Sequence, residues 1–206
     1  MDKTGKTLIQ FNVKNGQYAV KSGTPAAWVI HPLTWLNSFS KEKDLDSNPI
    51  YGDGEKQLTL VNDKGFTGTL GLTAQDNEYN KALGFVKTLA NGNAEIQQLA
   101  SIEHCIYFES QYVGKDGVAK TKKTWVFGVE AQAPSEEYNQ NTDSINQSTV
   151  EYTITIKGIN TLDSTGTADY RDENGNTIKT FTLSKVPGDT GYDTFENTVP
   201  SPQVSA

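Results

Sequence analysis

Histidine and cysteine are the side chains most often recruited as metal ligands or for nucleophilic chemistry, and this 206-residue chain holds only His31, His104 and Cys105. Neither histidine sits in a metal-ligand spacing such as H-E-x-x-H. His104 and Cys105 are neighbours, but adjacent residues of a strand point to opposite faces, which keeps the imidazole from serving the thiol as a base. A lone cysteine also leaves no intrachain disulfide and no thiolate cluster. No Gly-x-Ser-x-Gly elbow or phosphate-binding loop is present, and Gly52-Asp53-Gly54 lacks the third glycine and the following helix of a dinucleotide fingerprint. The expectation is a protein with no catalytic residue, no metal and no cofactor.

Carboxylates give weaker signals. Asp44, Asp46, Asn48 and Glu55 fall at positions 1, 3, 5 and 12 of a calcium-loop spacing. Pro49 stands where the sharp turn of such a loop needs glycine, and the residues after Glu55 alternate as a strand, so the stretch reads as an acidic, solvated loop. Glu109, Glu130 and Glu151 lie on candidate strands and are the raw material for a glycoside hydrolase, but outward-facing residues on a polar surface explain them more simply. The aromatics Trp28, Trp35, Tyr112 and Trp125 suggest an alternative, a glycan-binding β-sandwich module, although most sit at the strand spacing of packing residues. Asn146-Gln147-Ser148 has the form of a glycosylation acceptor, but the polar N-terminal residues predict no secretion leader, so no glycan is expected there.

Bulk properties narrow the classes further. Acidic residues outnumber basic ones by 25 to 18, which opposes tight phosphate binding but suits a surface past which DNA slides without sticking. The polar N-terminus and the absence of a run of about 20 apolar residues predict a soluble protein made in a cytoplasm. Hydrophobic residues make up 35% of the chain, a lean core for its length, so some apolar surface is expected to be buried only between subunits.

The elements that must position these residues are mainly strands. Alternation of β-branched and aromatic residues predicts a hairpin over residues 8–21 around Asn15-Gly16, a strand at Trp28 to Ile30, and a second hairpin of Lys56 to Val61 with Gly65 to Leu72 around Asn62-Asp63-Lys64-Gly65. That hairpin points Leu58, Leu60, Phe66, Leu70 and Leu72 inward. Residues 37–55 have no convincing period and read as a long loop, of a length that is usually functional. Thr73 is placed as the cap of a helix with Tyr79, Leu83 and Val86 on its apolar face, and residues 93–101 as a short helical turn. His104 to Val113 and Thr121 to Ala133 form the longest strand pair. After a polar excursion at 134–148, Thr149 to Lys157 alternates with Val150, Tyr152, Ile154 and Ile156 inward. A further hairpin is expected within 160–185, and residues 187–206 read as an arm or a disordered tail.

From Tyr51 onward the order of these features resembles the major tail proteins of long-tailed phages of Gram-positive hosts. The most specific part is Gly65-Phe66-Thr67-Gly68-Thr69-Leu70, preceded by Tyr51 to Val61 and followed by the helix. The resemblance implies a β-sandwich or barrel tail-tube fold flanked by one α-helix. It further implies homohexameric rings stacked into a virion tail tube that conducts DNA without binding it specifically, with tape measure, terminator and distal tail proteins as partners. The loop at 37–55, with Lys41, Asp44, Asp46, Pro49 and Tyr51, would reach a neighbouring subunit, and the C-terminal arm would make another contact. Thr59, Thr67, Thr69, Glu151, Thr153 and Thr155 are the expected lumen-facing residues.

Overall fold

Alternating side chains build the chain into β-structure almost throughout, in a computed structural model that describes residues 9–53, 55–114, 117–135 and 149–205. In order, the elements are β1 (Ile9–Ser22), β2 (Ala27–Pro32), β3 (Leu36–Gly52), β4 (Glu55–Leu72), α1 (Asn77–Ala82), β5 (Val86–Leu89) and β6 (Gly92–Glu95), then β7 (His104–Val113), β8 (Ala119–Ala131), β9 (Val150–Ile156), β10 (Ile159–Asn160), β11 (Lys179–Thr180) and β12 (Thr182–Lys185). The expected class, mainly β with one flanking helix, is the observed one.

Eight strands form one antiparallel sheet, seven of them in the order β2-β1-β7-β8-β9-β4-β3 and the eighth, β12, beside β8. β12 pairs with β8 at Lys123 to Val126, and β9 takes over the same side at Val129 to Ala131. The sheet curls far enough for its distant strands to meet. Phe39 of β3 packs on Phe108 of β7 with ring centroids 4.8 Å apart, although β8, β9 and β4 lie between them in the ladder. Near the same closure Leu33 N–H donates to Gly16 O at 2.9 Å. The concave side encloses Leu70, Leu72, Ile106, Val126, Tyr152, Ile154 and Ile156, with Tyr79 and Leu83 from the helix segment plugging one end.

The switch between partners of β8 turns on Gly128. Its φ of +63° lies in the left-handed region, and a Cβ there would stand 2.5 Å from Gly158 O. The register slips at this point, so Trp125 and Phe127 face the convex side while Val129 and Ala131 face the concave core. The convex cluster of Ala19, Cys105, Tyr107, Trp125 and Phe127 is covered by Phe195 and Val199.

Several expected elements come out differently, for one recurrent reason. The turn at Asn15-Gly16 is a bulge: β1 runs unbroken through it, with Asn12 and Asn15 at positive φ. Asn62 to Gly65 is likewise a bulge inside the single strand β4, and of the residues expected as a loop at 37–55, those up to Gly52 belong to β3, its partner along the whole length, while Glu55 opens β4. Asparagine and glycine supply the left-handed residues that both turns and bulges require, and only strand pairing decides between them. The helix is capped by Asp76, whose carboxylate accepts from the N–H groups of Glu78 and Tyr79 and from Thr34, not by Thr73. Val86 is buried as expected but opens the β5-β6 hairpin, which occupies part of the segment read as a helical turn. Residues 187–205 are docked, not a tail: Trp125 Nε1 donates to Phe195 O at 2.9 Å, and Lys123 forms an ion pair with Glu196. The hairpin within 160–185 exists in a reduced form, with Arg171 bridged to Thr177 around an Asp172 turn and β11 returning along β10. Of the excursion expected at 134–148, residues 136–148 lie outside the described residues, and Ser135 bridges to Glu151.

Candidate functional site: a projecting hairpin and a polar sheet face

β4 pairs with β9 only from Phe66 to Leu72, whereas it pairs with β3 from Leu72 down to Glu55. Beyond the core, therefore, the two strands continue as a two-stranded arm. Its free part, Leu45 to Gly52 against Glu55 to Asp63, extends roughly 25 Å at about 3.3 Å per residue. The outer edge of β3 has no partner strand anywhere in the described residues. Its alternating charges and Pro49 are what an edge exposed to water carries.

The arm is unusual in what it exposes. Leu45, Ile50, Tyr51, Leu58, Leu60 and Val61 are all exposed, Tyr51 at 67% and Val61 at 63%. The bulge at Lys64 explains where they point. It inserts one residue into β4 between the pairs Asp44↔Gly65 and Leu45↔Asp63, so the alternation of β4 inverts beyond it. Leu58 and Leu60 then share a face with Thr67 and Thr69, while Thr59 and Val61 share the other face with Phe66 and Leu70. Apolar side chains are consequently bare on both faces of the arm. The turn expected at Asn62 to Gly65 would point Leu58 and Leu60 inward; the bulge in its place leaves both exposed.

Five of the six expected lumen residues are brought together. Thr67 lies opposite Thr155, Thr69 opposite Thr153, and Gly71 opposite Glu151. Ser40 joins them through a 2.8 Å hydrogen bond between its hydroxyl and that of Thr69, and Glu130 is paired with Lys157 at 2.8 Å beside Thr155. The result is one continuous convex face of hydroxyls and carboxylates. Thr59 does not belong to it, because the bulge turns it to the opposite side.

The residues expected in a long neighbour-reaching loop, Lys41, Asp44, Asp46, Pro49 and Tyr51, all lie on the strand β3. Asp46 forms an ion pair with Lys64 at 3.4 Å. The calcium-like oxygens of Asp44, Asp46, Asn48 and Glu55 are strung along an extended strand and its tip instead of being wrapped around a point.

Other chemistry-bearing groups are engaged internally. His104 is completely buried, with its ring nitrogens against Tyr79 Oη at 2.9 Å and Ile102 O at 3.1 Å, and burial pushes its pKa down to about 4. Cys105 points to the opposite face of the sheet, as expected, and burial raises its thiol to about 12. His31 stacks on Tyr18 at 5.2 Å. Glu109 accepts from Asn15 and Tyr107. Of the aromatics weighed for a glycan platform, Trp125 is completely buried and Tyr112 nearly so. Trp35 is exposed and holds φ at +64°, a strained conformation for a bulky residue that the sequence does not reveal.

Comparison of the chain with models of known protein families and with curated proteins finds no match.

Proposed function

We propose that this protein is a structural subunit that polymerises into a hollow tube, the tail tube of a long-tailed phage, and that no residue of it is catalytic. The observation that carries this reading is the arm formed by β3 and β4, which exposes apolar side chains on both faces. A monomer gains nothing from such an arm, since burying those side chains is worth about 25 cal/mol per Å² only where another surface covers them. A second copy is the simplest cover, because the free edge of β3 also seeks a partner.

In this reading the subunits close head-to-tail into rings, six per ring by the sequence resemblance, and the rings stack. The convex face of Thr67, Thr69, Thr153, Thr155 and Glu151 lines the bore, where hydroxyls and negative charge let the genome pass without adhering. Terminator, distal tail and tape measure proteins meet the tube at its ends and in its lumen, and the place of the protein is the virion tail. Electron microscopy of the concentrated protein tests the proposal: hollow rings or tubes are expected, and a species that stays monomeric at every concentration would rule it out.

A further inference from the structure

At the root of the arm the curled sheet leaves a recess of about 330 Å³. Its floor is apolar, made by the packed rings of Phe39 and Phe108 together with Val126, and its rim carries Lys41 and Lys122. Lys41 Nζ lies 4.6 Å from the Phe66 ring centroid and 3.4 Å from Thr182 Oγ1. Neither Lys41 nor Lys122 is paired with a carboxylate among the described residues, whereas the adjacent Lys43 holds Asp63 at 2.6 Å. Burial, and then the like charges of Lys122 and Lys43, lower the pKa of Lys41. An apolar floor under two uncompensated ammonium groups is built for an aromatic or aliphatic group accompanied by carboxylates.

The tip of the arm presents that combination. Tyr51 is exposed there beside Asp53 and Glu55, both exposed and without an ion pair among the described residues. The tip cannot reach its own root, because Lys41 and Asp53 stand at opposite ends of an extended strand, about 40 Å apart at the rise of a β-strand. We propose that the recess is the receptor for the arm tip of a second copy, with Tyr51 entering over Phe39 and Phe108 while Asp53 and Glu55 meet Lys41 and Lys122. The inference rests on the self-assembly reading and specifies its contact. Tip and receptor are different surfaces of one chain, so the interface is heterologous and propagates, each copy displaced along the arm from the last.

Charge exchange in the full-length protein tests it, read as the critical concentration for assembly by sedimentation, with melting curves to confirm that each variant folds. K41E/K122E and D53K/E55K should each raise that concentration about tenfold or more, because like charges are then juxtaposed at the contact. The milder K41Q/K122Q should raise it less. Combining the two reversals in one chain should restore assembly. So should an equal mixture of the two reversed proteins, in which every recess finds a tip of opposite charge. If the wild type assembles and the reversals leave it unchanged, or fail to rescue one another, the receptor assignment is overturned and the tube reading survives. Sensitivity to the lysine variants alone would overturn the tip as the occupant. A wild type that never assembles would overturn both.

Discussion

The two halves of β4 carry the same kind of sequence and meet opposite fates. From Phe66 to Leu72 the strand has neighbours on both sides, and Leu70 and Leu72 are completely buried. From Glu55 to Val61 it alternates leucine with polar residues just as cleanly, yet Leu58 and Leu60 stay more than half exposed. Periodicity therefore marks a strand with a face to hide, but not whether its own chain hides it. In the proximal half the cover is α1 and the curled sheet; in the distal half none of the described residues supplies one. Stability should reside in the first region and assembly in the second, and that contrast can be tested from either side.

The largest effect is expected in the core. Ile154→Ala should cost about 3–4 kcal/mol, by lost burial plus a cavity, in a denaturant titration of the monomer. A loss below about 1 kcal/mol would show that the concave side is not the stabilising core.

Acid should act on the same region. The pKa of His104 falls from 6.5 to about 4 on folding, so between those values the unfolded chain binds the proton and the folded chain does not. The contribution is complete above the unfolded value, declines as pH falls below 6.5, and by about pH 4 amounts to a loss of roughly 3 kcal/mol. The slope of stability against pH should flatten in His104→Gln if the imidazole is its source.

The docked C-terminal segment should show an intermediate effect. Lys123 is buried, and its partners are Glu196, the Tyr192 carbonyl and the Tyr192 ring. Glu196→Ala leaves a buried ammonium group short of its counter-charge and should destabilise the monomer by about 2 kcal/mol, read from the melting transition. A neutral result would mean that the ion pair is not among the contacts that hold the segment over Trp125.

The smallest effect on stability should accompany the largest on assembly. Leu58→Ser with Leu60→Ser should change monomer stability by less than about 0.5 kcal/mol, since neither side chain is buried. The same pair should suppress tube formation under conditions where the wild type polymerises. An equal loss of stability and assembly would erase the distinction between the two halves of β4.

Much of the fold is legible in the residues themselves. Strands β7, β8 and β9 follow from their runs of β-branched and aromatic residues, the inward face of β9 from alternation alone, and the separation of His104 from Cys105 on opposite faces from the period of a strand. The threonine face at Thr67, Thr69, Thr153 and Thr155 is legible too, because the period of a strand is local. The long hairpin was less so. Asn15-Gly16 and Asn62 to Gly65 have the composition of turns, and composition records only that some residue must take a positive φ. Whether that residue reverses the chain or bulges it depends on a partner strand far away in the sequence: Ser110 to Tyr107 for β1, and Asp44 and Leu45 for β4.

Sequence by itself therefore determined the class of the fold, the faces of β9 and the placing of His104 and Cys105 on opposite faces, since each follows from near-neighbour spacing. Tertiary structure decided which strands are continuous, on which side Thr59 and Leu60 emerge beyond Lys64, and that residues 187–205 seal the convex core. Those outcomes depend on register and closure between segments up to about a hundred residues apart, where a one-residue slip inverts every side chain that follows.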